Sequence, residues 1–266
     1  MTRNAKIWLA TLLTVLVFLI SGFFGGRLSD VLFEDLDPGF AQFLGYVLIF
    51  AITLAFAYAI KIPLKFYIPS LKPEPGKLNP RLIVAGVILI VAASIVLNPI
   101  IYAMPESGLE TLTDYMQGGL WPMLTSVVAA PVLEEFLFRG IIQRNLMRIL
   151  GRTAGIIAGA AIFGLIHFIP QQVIYATGVG VIIGTIYYLT GSLNTVIAIH
   201  FVNNGLTYLL FIIFDTTAYL ESDLFESKTA FAIAYSVSSV LLVAAGWYAW
   251  RQISADEKRK PKTGQK

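Results

Sequence analysis

The chain has 266 residues, 57% of them hydrophobic and 13% charged, with a formal net charge of +3. A mean hydropathy of +0.75 excludes an ordinary soluble globular domain. The absence of cysteine excludes disulfides, thiolate zinc sites and a cysteine nucleophile. The positive charge sits in loops and in the tail from Arg251 to Lys266, which is a topogenic distribution and not a nucleic-acid surface.

A helix needs about 20 predominantly apolar residues to span a bilayer. In chain order, eight segments roughly meet this: Ile7–Gly26, Gly39–Ile60, Leu82–Tyr102, Leu120–Leu150, Ala154–Phe168, Val173–Thr190, Thr195–Phe214 and Ala230–Trp250. The first follows basic residues and superficially resembles a secretory signal. Its apolar run of about 20 residues is longer than a signal core and no small-x-small cleavage site follows, so it reads as a retained helix. The fourth segment is overlong and the fifth short. Pro-rich Pro69 to Pro80, Asp37-Pro38, Gly191-Ser192 and acidic Glu221 to Glu226 punctuate the series. The expected fold is an all-α polytopic membrane bundle of about eight helices, one transmembrane domain over residues 1–266.

Loop charges alternate along this series. Arg3 and Lys6 precede the first segment, and Asp30, Glu34, Asp35 and Asp37 follow it with Arg27 alone opposing. Lys61, Lys65, Lys72, Lys77 and Arg81 fill the second loop; Glu106, Glu110 and Asp114 fill the third. Arg144, Arg148 and Arg152 mark the fourth, Lys228 is the one positive residue of the acidic seventh loop, and the tail is basic. By the positive-inside rule both termini, including the tail 251–266, lie in the cytoplasm.

Three apolar segments carry ionisable residues that a bilayer penalises, and each is a functional-site hypothesis for that reason. The fourth reads Glu134-Glu135-Phe136-Leu137-Phe138-Arg139-Gly140. Glu135 and Arg139 are i,i+4 neighbours suited to an ion pair. Glu134 points about 100° away and has no basic residue one turn off, leaving it free to act. In the fifth, Gly151, Gly155, Gly159, Phe163 and His167 recur every four residues, and small residues on such a stripe let helices approach closely. The seventh carries His200 and Asn204 one turn apart, with Asn203 on another face. Lone buried histidines and amides more often clasp helices than catalyse. Here, however, Glu134 lies roughly 20 Å from the basic end of its helix, His167 about as far from Arg152, and His200 to Asn204 about 10–20 Å from Ser192, so the three clusters can meet in one layer.

A carboxylate beside an imidazole can activate water, and a second imidazole with an amide can hold a developing oxyanion. Alternatively, Glu134, His167 and His200 match a catalytic zinc ligand set. Both schemes predict amide hydrolysis of a peptide or membrane-protein substrate. A proton relay in a transporter would use similar residues, but no inverted repeat is visible.

The three clusters resemble those of the CAAX-protease and bacteriocin-processing family of intramembrane proteases, to which the eukaryotic prenyl endopeptidase Rce1 belongs. Its first motif, two glutamates and then an arginine, is matched by Glu134, Glu135 and Arg139; its second by Phe163 and His167; its third by His200 and Asn204. The similarity covers residues 120–214, the expected catalytic core. It implies that Glu134 and His167 activate the water, that His200 and Asn204 stabilise the oxyanion, and that Glu135, Arg139 and Phe163 support the site. It also implies an integral protein of a bacterial cell membrane, with either a divalent metal such as zinc or no cofactor. The alternative is a non-proteolytic scaffold or bacteriocin self-immunity protein of the same fold.

Overall fold

The computed structural model describes residues 1–64, 78–105, 108–214, 225 and 227–259. The chain forms helices α1 (Arg3–Leu32), α2 (Pro38–Leu64), α3 (Pro80–Tyr102), α4 (Leu109–Gln117), α5 (Leu120–Leu150), α6 (Arg152–Leu165), α7 (Pro170–Thr190), α8 (Leu193–Phe214) and α9 (Lys228–Arg259), with no strand among the described residues. Of these, α1, α2, α3, α5, α7, α8 and α9 are long and apolar enough to cross a membrane. Lys65, Lys72 and Lys77, the side chain of Lys61, Glu106, the acidic stretch Glu221 to Asp223 with Glu226, and residues 260–266 lie outside the described residues.

Two expectations need correction. The fifth expected span is a 14-residue helix that ends at Leu165, about 21 Å long and shorter than a bilayer core. The third expected loop contains a helix, α4, whose residues Leu109–Gln117 follow Gly108 in a left-handed conformation at φ 85°.

Lipid is as apolar as leucine, so helices associate here by close packing and polar contacts, and small residues set the approach. Gly25 and Gly45 bring α1 onto α2: a Cβ at Gly25 would lie 2.7 Å from Ile49 Cγ1, and one at Gly45 2.9 Å from Ser29. Ser29 then donates to the Ala41 carbonyl across the same contact at 2.9 Å. Gly155 and Gly159 press α6 against Met147 and Gln143 of α5. Gly164 meets Thr177 and Val173 of α7, Gly180 meets Ala160, and Gly184 meets Gln143. The small-residue stripe on α6 therefore works as a packing surface from Gly155 onward, whereas Gly151 (φ 87°) serves the turn between α5 and α6. One buried cluster joins α1, α2, α5, α6 and α7 around Phe50, Leu137, Phe138 and Phe163. A second joins α3, α7 and α8 around Ile90, Ile183 and Ile199.

The two ends of the bundle are distinct. At one end Arg152 stacks on Tyr188 with its guanidinium 5.5 Å from the ring centre and donates to the Ile253 carbonyl at 3.4 Å. Tyr188 reaches Asp256 there as well, at 2.9 Å. The start of α6 and the carboxy-terminal ends of α7 and α9 are thereby together. At the other end Phe40 at the start of α2 packs on Trp121 at the start of α5, with centroids 4.4 Å apart.

Candidate active site

The site is built on an irregular helix. Within α5, residues Leu124–Ala129 and Phe138–Gln143 form π turns on either side of Glu134 and Glu135. Such one-residue expansions re-aim side chains and recur at functional sites. Pro131 accounts for the consequence of the first. The Ala130 N–H bonds back five residues to the Thr125 carbonyl, so in that register the Ser126 carbonyl faces Pro131, which has no N–H to give. A side chain fills the gap: Asn204 Nδ2 of α8 donates to the Ser126 carbonyl at 2.8 Å. Proline and asparagine together lock α8 to α5.

Glu135 and Arg139 form the i,i+4 pair at 2.8 Å, both almost fully buried. Arg139 also donates to the Gly180 carbonyl at 3.4 Å and lies 4.4 Å from the Phe163 ring centre. One guanidinium thus ties α5 to α6 and α7. Glu135 does more than neutralise it: His200 Nδ1 lies 2.8 Å from the same Oε1. A carboxylate only accepts, so Nδ1 carries the proton and His200 presents Nε2 to its other side. That nitrogen is 3.8 Å from Glu134 Oε2. His200 therefore bridges the two adjacent glutamates, held by one and facing the other. The second oxygen of Glu135 is buried without a hydrogen-bond partner among the described residues.

Glu134 is buried and accepts a hydrogen bond from the Tyr46 hydroxyl of α2 at 2.7 Å. Sequence reasoning missed Tyr46. It lies 88 residues from its partner, on a helix with no other ionisable side chain nearby in sequence to draw attention to it.

His167 does not lie on the helix assigned to it from sequence. It occupies the turn after α6, its N–H bonded to the Gly164 carbonyl at 3.1 Å, and Phe168 follows at φ 60°. The approaching Pro170 ends the run, since the residue before proline is driven out of the helical region. The i,i+4 relation still holds: His167 Nδ1 is 2.9 Å from the Phe163 carbonyl. A carbonyl only accepts, so Nδ1 is the protonated nitrogen and Nε2 the basic one. The Phe163 ring stands edge-on to both His167 and His200, with centroids at 5.2 and 5.9 Å. Phe163 is thus the wall shared by the two imidazoles.

Around Asn204, Asn203 Nδ2 donates to Asn204 Oδ1 at 3.1 Å, and Asn203 Oδ1 accepts from Tyr175 of α7 at 2.8 Å. These bonds fix the Asn204 amide so that its nitrogen, not its oxygen, faces α5. A carboxamide nitrogen has two hydrogens, and Ser126 takes one. Above this layer Tyr208 lies 3.0 and 3.1 Å from the carbonyls of Met116 and Gly119, anchoring the segment between α4 and α5. Burial raises the Tyr115 phenol of α4 above its usual pKa, against opposing hydrogen bonds from Thr125 and Ser126.

The expected zinc ligand set finds no support. Among the described residues no three His, Asp or Glu side chains converge to hold a metal ion. Glu134 and His200 face one another, but among the described residues no hydrogen bond or ion pair links His167 to either of them.

The fold and the buried acid–imidazole cluster define a polytopic helical membrane protein with a polar site between its helices. A family model described as type II CAAX prenyl endopeptidase Rce1-like matches residues 116–206, which hold every site residue named above except Tyr46, Tyr115 and Tyr208. That segment, about a third of the chain, is similar to the Rce1-like family of CAAX-type membrane proteases. No curated protein and no solved structure matches the chain.

Proposed function

We propose that the chain is an intramembrane endopeptidase in which Glu134 is the general base for the attacking water. The observation that carries this is the His200 bridge, with Nδ1 at 2.8 Å from Glu135 and Nε2 at 3.8 Å from Glu134. Glu134 takes a proton from water as its oxygen attacks a peptide carbonyl, and His167, through Nε2, helps orient that water. His200 acts as imidazolium: Nδ1–H is held by Glu135, Nε2–H points into the site, and the oxyanion receives that hydrogen bond together with the second hydrogen of Asn204 Nδ2. The proton taken by Glu134 then passes to the departing amine. Low dielectric strengthens each of these contacts. No step requires a metal.

The substrate is a peptide segment within or beside the bilayer. The same reading places both termini, with the tail 251–266, on the cytoplasmic face, because the arginine-bearing end of the bundle holds the start of α6 and the end of α9.

Glu134→Gln, His167→Ala and His200→Ala are each expected to lower cleavage of a membrane-protein substrate by about 10²-fold or more, the range for a lost general acid–base group, while the protein still inserts. Cleavage is expected to survive treatment with a divalent-metal chelator. A non-proteolytic scaffold would instead leave its cellular phenotype intact in Glu134→Gln, and that result would overturn the enzymatic reading.

A further inference from the structure

We infer that Tyr46, on a helix outside the matched family segment, is a positioning residue for Glu134. The inference rests on the role of Glu134 as general base. Tyr46 donates its hydroxyl to Oε1 at 2.7 Å, while His200 faces Oε2 at 3.8 Å. A glutamate ends in a broad, roughly two-fold torsion that by itself does not distinguish its two oxygens. Here the phenol occupies one and leaves the other directed at the imidazole. The base is thereby presented in one orientation, with a single oxygen available to water beside His200 Nε2. Productive geometry of this kind supplies rate that is lost when the group rotates freely.

Tyr46 is itself held firmly. Its ring packs on Phe50 with centroids 5.0 Å apart, and Phe50 is 1% exposed in the α1–α2–α5 core. The neighbouring Gly45 sits against Ser29 of α1, which bonds to Ala41 one turn earlier. The α1–α2 hairpin therefore fixes the height of the phenol against α5. On this reading the amino-terminal helices do more than anchor the protein: they complete the active site. None of the three sequence motifs includes this residue.

Tyr46→Phe tests the inference, because it keeps the ring in the Phe50 contact and removes only the hydroxyl. Purified full-length protein in detergent or liposomes, assayed on a membrane-peptide substrate, is expected to lose about 10- to 100-fold in kcat with KM within about twofold of wild type, and to keep its thermal midpoint. Ile90→Val, in the separate α3–α7–α8 cluster and away from Tyr46, is expected to lower the midpoint and leave kcat near the wild-type value. An unchanged kcat in Tyr46→Phe overturns the inference. So does a Tyr46→Phe protein that fails to insert or melts early, since the hydroxyl would then serve folding. Glu134→Gln in the same assay separates the two readings: if it cleaves normally the general-base assignment fails, whereas an inactive Glu134→Gln beside a fully active Tyr46→Phe defeats only the role of Tyr46.

Discussion

Two adjacent carboxylates in a low-dielectric interior repel one another unless each has its own partners. Glu135 has Arg139 and His200 Nδ1; Glu134 has the Tyr46 hydroxyl and the Nε2 side of the same imidazole. The two glutamates should therefore answer differently to the same change. Glu135→Gln leaves the Arg139 guanidinium, 1% exposed, without its counter-charge. Removing one partner of a buried ion pair costs about 3–5 kcal/mol, so this variant is expected to melt markedly earlier and to lose activity with its fold. Glu134→Gln retains an amide oxygen for Tyr46 and leaves Arg139 and His200 both held by Glu135, so it should be inactive but closer to wild type in stability than Glu135→Gln. Thermal midpoints of the two variants in detergent decide the matter; equal midpoints would mean that Arg139 is balanced by something other than Glu135. Much of this was legible in the sequence. The i,i+4 spacing indicated the Glu135–Arg139 pair, and the empty positions around Glu134 indicated that it does not share that arginine. The second partner of Glu135 was not legible, because His200 is 65 residues away on another helix and no local period reports a contact of that range.

At the scale of helices, hydropathy located the long apolar segments, because each must satisfy its backbone internally across the bilayer. It failed where backbone geometry departs from a uniform helix. The run Ala154–Phe168 reads as one apolar stretch, yet the helix stops at Leu165 and delivers His167 on a turn; Pro170 was the signal. Pro131 was likewise the sign of disturbed geometry in α5, where the π turn frees a carbonyl that Asn204 then claims. A helical wheel drawn at constant pitch cannot show this, since a π turn shifts the phase of everything after it. The α6–α7 hairpin that carries His167 depends on Gly164. A Cβ there would stand 2.6 Å from the Val173 carbonyl and closer still to the Thr177 hydroxyl. Backbone and side chain crowd it at once, so even Gly164→Ala must push the helices apart, and overpacking of this sort costs about 1–3 kcal/mol. Gly164→Ala is expected to lower the thermal midpoint and reduce kcat by displacing His167 from the Phe163 wall. Gly22, with nothing within 4 Å of its added Cβ, should accept alanine with no change in either quantity. Equal behaviour of the two variants would show that the hairpin has slack.

Across the whole molecule, contacts between distant helices fix which ends lie together, and this settles how a 14-residue helix fits a topology of alternating loop charge. The hairpin α6–α7 begins beside Arg152 and returns there through Tyr188, so it restores the chain to the end it left, whatever depth its turn reaches. Gly86 near the start of α3 packs on Ile186 and Ile199, close to the α7–α8 junction, and Ile253 and Asp256 near the end of α9 join the same end. Phe40 and Trp121 place the α1–α2 turn and the start of α5 at the other end. The basic residues Arg144, Arg148, Arg152 and Arg251 thus belong to one end, and the acidic Asp30, Glu34, Asp35 and Asp37 lie around the turn at the opposite end. The proposed orientation follows from the rule that lysine- and arginine-bearing ends remain cytoplasmic. The chain has no cysteine, which makes single-cysteine labelling direct. Thr153→Cys and Ser254→Cys should react with a membrane-impermeant maleimide only from the cytoplasmic face, and Asp35→Cys only from the opposite face. Labelling of Thr153→Cys and Ser254→Cys from opposite faces would break the contact between Arg152 and Ile253 on which this arrangement rests. Labelling of both from outside would keep the helix arrangement and reverse its orientation.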